Sequence, residues 1–259
     1  MTPFPEKSAI RRRAALLLGV VTFFSFIYFY EGGGWNQNSR FDLLRAIVEE
    51  HTLRIDSYQQ NTQDKAHFKG HYYSDKAPGL VFLAVPFAVV ARPAMRAVGV
   101  DPVSPQGEFL LSYLVSAFSV AIPMALAGVC LFFIAMRFGA SLAGAAFGVI
   151  VLCLGTPIWA YASLFWAHAL VGACLIFALA AALKIGQTAG TGHLDFFWAL
   201  AVGLAAGWAT VTEYPAAPAS GILAVFALSR AWRQGATARW RAIIGVGLGA
   251  SICVAVLLG

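Results

Sequence analysis

Two Asp-Lys pairs, Asp64-Lys65 and Asp75-Lys76, bracket the segment Gly70-His71-Tyr72-Tyr73-Ser74. A carboxylate can take a proton and a neighbouring ammonium can hold an anion, so each pair suits acid–base work beside a negatively charged group. Of the four carboxylates and ammonium groups, Asp75 is the first candidate for the base and Asp64 the second, with Lys76 and Lys65 as anion holders. Arg40 offers a further cation, and Tyr73, Tyr72 and Trp35 offer flat faces on which a ring could stack. A merely solvated loop needs neither adjacent tyrosines nor the Lys76-Ala77-Pro78-Gly79 entry into an apolar run. Two more polar residues stand at the ends of apolar runs: His168 in Phe165-Trp166-Ala167-His168, and Glu213 in Thr212-Glu213-Tyr214-Pro215. Ionisable groups in such runs are costly to bury and are candidates for function for that reason.

Other chemistries lack their residues. His51, His67, His71 and His193 do not stand at metal-ligand spacing, and no phosphate-binding glycine loop, nucleophile elbow or dinucleotide fingerprint occurs. No cofactor is indicated, and a divalent metal, though compatible with the acids, has no cluster pointing to it. Cys130, Cys153, Cys174 and Cys253 all lie in apolar stretches, as small buried hydrophobes do.

The elements that must position these residues follow from composition. Of 259 residues, 59% are hydrophobic and 12% charged, and mean hydropathy is +0.73. A soluble domain carries about a quarter charged residues, so neither a soluble globule nor a disordered chain fits. The pattern is that of an all-α, polytopic bundle of transmembrane helices forming one domain over residues 1–259. Nucleic acid is not an expected partner, because the basic residues are scattered between apolar runs; membrane lipids are.

About seven spans are expected: 14–30, 108–136, 140–160, 161–183, 196–213, 215–230 and 242–259. The segment 79–98 is apolar but holds Pro86, Arg92, Pro93 and Arg96. If it does not cross, Arg11, Arg12, Arg13, Arg137, Lys184, Arg230, Arg233, Arg239 and Arg241 all fall on the cytoplasmic side, as the positive-inside rule asks. That choice puts the N-terminus in the cytoplasm. It makes 79–98 a helix half-sunk in the outer interface and residues 31–106 one large outer loop with surface helices, followed by membrane helices over 107–259. Within the loop, Ser39 and Asp42 have the spacing of a capping box, and Phe41, Leu44, Ile47 and Val48 recur at helical period. This predicts an amphipathic helix ending near His51, with Arg40, Arg45, Glu49 and Glu50 on its other face. The last apolar run stops at Gly259 without a polar tail, as in a piece of a longer chain.

A first span, a large outer loop with an amphipathic helix, and a Lys-x-Pro entry into a second surface helix together resemble the GT-C superfamily of membrane glycosyltransferases. Its members include protein O-mannosyltransferases and the lipid A aminoarabinose transferase. Asn36-Gln37-Asn38-Ser39-Arg40-Phe41 resembles the family's Asp-Glu-x-Arg-Tyr site, and Lys76-Ala77-Pro78-Gly79-Leu80 its Lys-Pro-Pro-Leu stretch. Gly155-Thr156-Pro157, Phe165-Trp166-Ala167-His168 and Glu213-Tyr214-Pro215 resemble segments of a bacterial branch. The resemblance implies a protein of the bacterial inner membrane that takes a sugar from a polyprenyl-phosphate donor to a hydroxyl acceptor. Asp75 and Asp64 would then be catalytic, and Lys76, Arg40, Lys65, Tyr73, His168 and Glu213 would bind substrate. The chain departs from the family at its acidic pair, which falls on the amides Gln37 and Asn38; an amide is no general base. A transporter or lipid flippase, or a non-catalytic membrane subunit, therefore stays open beside the transferase.

Overall fold

A computed structural model describes residues 5–187 and 192–258. Among the described residues every regular element is helical except one small hairpin. α1 (Pro5–Tyr28) is released by Gly32-Gly33-Gly34, and α2 (Trp35–Arg45) follows, ending in a π turn, Ala46–Glu50. A hairpin of β1 (Lys65–Phe68) and β2 (His71–Ser74) is joined by Lys69 and Gly70, both at positive φ (49° and 82°), which is the two-residue turn that strand twist favours. Then come α3 (Gly79–Ala97), α4 (Pro105–Ser116), a π turn (Ala117–Ala121) and α5 (Ile122–Arg137). The remaining helices are α6 (Leu142–Leu154), α7 (Ile158–Ala162), α8 (Ala167–Lys184), α9 (Gly192–Thr212), α10 (Ala217–Trp232) and α11 (Ala236–Leu258). The Ser104 and Ser141 hydroxyls cap α4 and α6 by accepting the Gly107 and Gly144 N–H groups.

The helices pack in a row, α11 on α9, α9 on α8, α8 on α5 and α5 on α1, with α6 beside α1 and α5 and α10 against α8, α9 and α11. Outward faces stay apolar and uncovered, as at Leu16, Phe24, Phe147, Ile222, Val225 and Ile244, which is what a bilayer covers. Five described helices are long and apolar enough to cross a membrane: Gly79–Ala97, Pro105–Arg137, Ala167–Lys184, Leu194–Thr212 and Ala236–Leu258. This is fewer than the seven spans expected, and the set differs. Three expected spans fall short on their own: α1 carries Arg11 to Arg13 inside the helix, α6 has 13 residues and α10 has 16. The terminal residue Gly259 lies outside the described residues.

The bundle has two chemically different ends. At one, Arg230 donates to the Leu183 and Ile185 carbonyls, Arg137 lies close enough to Arg230 to repel it, and Arg12 and Phe133 line one groove between α1 and α5. The basic residues of α1, α5, α8 and α10 therefore share one end, as the charge count demanded. At the other, Tyr30 hydrogen-bonds Ser112 (2.6 Å), the Trp159 indole donates to Ser25 and Arg40 meets Glu213.

α3 begins and ends at this second end. A Cβ on Gly79 would stand 2.6 Å from the backbone nitrogen of Thr212, the last residue of α9. Near its other terminus Arg92 pairs with Glu49, Glu49 with Arg45, and Arg45 with Glu108 in the first turn of α4. So α3, though long enough to cross, lies over one end of the bundle and does not connect the two. The helix Pro105–Arg137 has 33 residues, about 50 Å at 1.5 Å each, against a hydrocarbon core of about 30 Å. Its first turns thus stand beside the loop, which explains how Glu108 reaches Arg45.

Candidate functional site

The site is assembled around a buried arginine. Arg40, in the middle of α2, is 1% exposed, and three of its nitrogens are engaged. Nε donates to Asn36 Oδ1 (3.1 Å), Nη1 to the Ala77 carbonyl (3.0 Å) and Nη2 to Glu213 Oε1 (2.6 Å). Burial lowers its pKa, and Glu213, Asp75 and Asp64 all oppose that shift, so the three carboxylates face the same guanidinium. One side chain thereby ties α2, the Lys76–Gly79 turn and the end of α9 together.

Above it, Lys76 Nζ sits between two carboxylates, 3.0 Å from Asp64 and 3.2 Å from Asp75. Burial works against the ammonium, but the hydrogen bonds it donates to Asp64 and Asp75, together with their charges, outweigh it and hold the Lys76 pKa above the ordinary lysine value. All three side chains keep partial access to solvent. The hairpin delivers them: β1 starts one residue after Asp64 and β2 ends one residue before Asp75. Because Lys65 faces Ser74 across the ladder, the two aspartates come together at the hairpin's open end. The open end of the ladder is fixed by the Ser39–Ser74 hydroxyl contact (2.8 Å) and the turn end of β2 by Asp56. The Asp56 carboxylate accepts the Tyr72 N–H and meets His71 Nδ1, both at 2.7 Å.

Glu213 leaves α9 in extended conformation and also approaches His168 Nδ1 at 3.7 Å. That is beyond hydrogen-bond range, so the contact is an ion pair only when the imidazole is protonated. His168 is the second residue of α8, close to half exposed, and lies edge-on to Tyr161 with ring centroids 4.7 Å apart.

Six of the expected residues are therefore neighbours: Arg40, Asp64, Asp75, Lys76, Glu213 and His168. Two are not. Lys65 turns away, donating to the Gln59 carbonyl and side chain and lying 5.2 Å from the Tyr72 ring centre. Tyr73 pairs through its backbone with Ala66 and bridges to Arg54, serving the sheet. Asn36 and Tyr161 belong to the surroundings and carry no sequence signal beyond their place near Arg40 and His168.

The expected capping box is corrected. α2 starts at Trp35 with Gly34 as its extended cap, four residues before Ser39, and no side chain caps it. Ser39 and Asp42 lie inside the helix and are fully buried. Asp42 Oδ1 accepts from Asn61, Oδ2 has no hydrogen-bond partner, and burial pushes the Asp42 pKa up to about 7. The expected polar face of α2 is corrected as well: Glu213 and the Ala77 carbonyl cover Arg40, and Tyr58 and Arg92 cover Arg45 and Glu49, which leaves Glu50 exposed. Both amides at the acidic-pair positions are used structurally: Gln37 donates to the Glu31 carbonyl (3.0 Å) and Asn38 to the Asn61 carbonyl (2.8 Å).

Two spaces adjoin this end. A cavity of about 400 Å³ lies between the end of α1 and α7, lined by Tyr30, Glu31, Trp159 and Ser163. An apolar cavity of about 300 Å³ runs between α9, α10 and α11 from Gly203 and Val246 to Leu257 and Tyr214, the residue after Glu213. Among the described residues, no three His, Cys, Asp or Glu side chains are grouped to hold a metal ion. No family model, no curated protein and no solved structure matches this chain.

Proposed function

We propose that this chain is a membrane transferase that moves a sugar from a polyprenyl-phosphate donor to a hydroxyl acceptor. The reaction would take place at the loop end of a seven-span bundle whose N-terminus is cytoplasmic. The observation that carries the reading is the Asp64–Lys76–Asp75 cluster at the hairpin's open end, backed by the Arg40–Glu213 pair. In the proposed step Asp75 takes the acceptor's hydroxyl proton, the acceptor oxygen bonds the sugar's anomeric carbon, and the bond from that carbon to the phosphate oxygen breaks. Lys76 balances the charge that develops on the leaving phosphate. Asp64 holds Lys76 in place and is the second choice of base. Arg40, with three nitrogens engaged inside the protein, acts as a positioning residue. His168 stands at the rim, at a helix N-terminus, where an anionic group is favoured. The apolar cavity leading to Tyr214 is a place for the donor's hydrocarbon tail.

The test is turnover by purified protein with labelled polyprenyl-phosphate sugars. Asp75→Asn is expected to lower the rate at least about a hundredfold, the usual worth of a positioned base, while donor binding persists. Unchanged turnover in Asp75→Asn and Asp64→Asn alike removes the assignment. A non-catalytic subunit is the second reading, favoured by Gln37 and Asn38 and by one lysine engaging both aspartates; it predicts donor binding without turnover. Uptake into vesicles without turnover marks a transporter.

A further inference from the structure

The arginine end carries charge that the bundle does not consume. Ten of the eighteen basic residues belong to it in sequence, against Glu6 and Asp195 of the twelve acids. Arg230 is engaged: it caps α8 by donating to the Leu183 and Ile185 carbonyls. Because those carbonyls are already satisfied, Lys184 is not needed for that task. Among the described residues no carboxylate pairs with Lys184 or with Arg137, and both are exposed. The two side chains line the same groove, a cavity of about 360 Å³ between the last turns of α5 and α8. Its walls are otherwise Cys130, Phe133, Ile134, Ala180 and Leu183, an apolar trough with two cations at its mouth. Across Phe133 lies a second apolar groove, about 420 Å³, between α1 and α5 with Arg12 on its lining.

We infer that the groove between α5 and α8 holds an anionic phospholipid of the bilayer. The headgroup phosphate sits between Arg137 and Lys184, and an acyl chain lies along Phe133, Ile134 and Ala180. Here charge complementarity is joined to shape. Two unneutralised cations at the membrane surface attract a phosphate, and the uninterrupted apolar wall below them suits a hydrocarbon chain and no polar ligand. A free phosphate would use the cations and leave the trough empty; a zwitterionic lipid would fill the trough but cancel its own charge with its ammonium. The site lies at the opposite end from the proposed reaction and does not depend on it.

Native mass spectrometry of the full chain in detergent tests this with dioleoyl phosphatidylglycerol, dioleoyl phosphatidylcholine and inorganic phosphate as probes. One phosphatidylglycerol is expected to stay bound, about 25-fold more tightly than phosphatidylcholine, at about fivefold for each cation. Arg137→Ala with Lys184→Ala is expected to bring the two lipids level. Arg233→Ala with Arg241→Ala, which removes equal charge from the same end outside the groove, is expected to change nothing. Equal retention of the two lipids overturns the inference. So does an equal loss in the Arg233/Arg241 pair, which would mean general surface charge, and so does displacement of the lipid by millimolar inorganic phosphate. If the Arg137/Lys184 variant does not fold, Ala180→Leu decides, since it fills the trough and leaves both cations. It is expected to release the lipid, and retention would overturn the site.

Discussion

Arg40 and Glu213 show how much depends on a single contact. A charge buried to 1% exposure is costly unless paired, and removing one partner of a buried pair costs about 3–5 kcal/mol. Glu213 keeps some solvent access, so the lower end applies: Glu213→Gln is expected to lower stability by about 3 kcal/mol, read from unfolding in detergent. Adding Arg40→Met is expected to return part of that loss, because no unpaired charge is then left inside. A double variant less stable than Glu213→Gln alone would mean that the guanidinium earns its place through Asn36 and Ala77 instead. Asp42 behaves differently. Its folded pKa of about 7 lies above its ordinary value of 3.8, so the folded protein binds a proton that the unfolded chain has already released. Stability contributed by the protonated form is complete below about pH 4 and falls as pH rises toward 7. Asp42→Asn, which keeps an acceptor for Asn61, is therefore expected to gain relative to the parent across that window. The gain has a ceiling of about 4 kcal/mol for three pKa units. Parallel unfolding curves for the two proteins at pH 5 and pH 7.5 check the sign; a difference that does not change with pH refutes it.

At the scale of elements, the Lys76–Gly79 turn works as a clasp. Its lysine holds the two aspartates, its Ala77 carbonyl holds Arg40, and Gly79 lets α3 meet the end of α9. A methyl at position 79 would meet the Thr212 backbone nitrogen at 2.6 Å and its Cα at 2.8 Å, backbone atoms that cannot swing aside. Gly79→Ala is expected to push α3 from α9, cost about 2 kcal/mol, and displace Glu213 one residue on, so that turnover falls with stability. Turnover retained in a stable Gly79→Ala protein would separate the clasp from the site. The same close approach recurs between α9 and α11. There Gly203 faces Gly249, Gly207 packs on Ala250 and Cys253 and Gly245 on Ala199 and Leu200, and a Cβ at 203 or 249 would stand 2.2–2.5 Å from a carbonyl oxygen of the other helix, the small-residue packing of membrane helices. The helices were legible because long apolar runs ended by glycine or charge admit little else. The hairpin was not: its strands are four residues each, and only the Lys69-Gly70 turn announces it. The start of α2 was misread because the Ser39–Asp42 spacing imitates a cap, whereas three preceding glycines let the helix begin earlier. Arg40, Asp64, Asp75, Lys76, Glu213 and His168 could be named from residue type and position. That Arg40 is interior and Lys65 turned away depends on which element covers which face, and local sequence does not carry that.

For the molecule as a whole, charge separates the two ends and should also orient them. The arginine end gathers the basic residues of α1, α5, α8 and α10, while the loop end balances its cations with carboxylates, as in the chain Arg92–Glu49–Arg45–Glu108 and the cluster around Lys76. Positive charge near span ends is retained in the cytoplasm, so the loop end is expected outside. The four native cysteines are free, and Cys153, Cys174 and Cys253 are buried while Cys130 is half-buried in its span, which makes substitution by alanine or serine a modest change and labelling clean. In that background a cysteine at Lys69, on the hairpin turn, is expected to react with a membrane-impermeant maleimide on intact cells. A cysteine at Arg233, beyond α10, is expected to react only after the membrane is opened. The reverse pattern would invert the protein and place the proposed site in the cytoplasm. Labelling of both in intact cells would mean an even number of crossings between them in place of the five drawn. A third cysteine at Val98, just past α3, tests the helix that is long enough to cross yet starts and ends at one end of the bundle: it is expected to label with Lys69, because a crossing α3 would carry it to the side of Arg233.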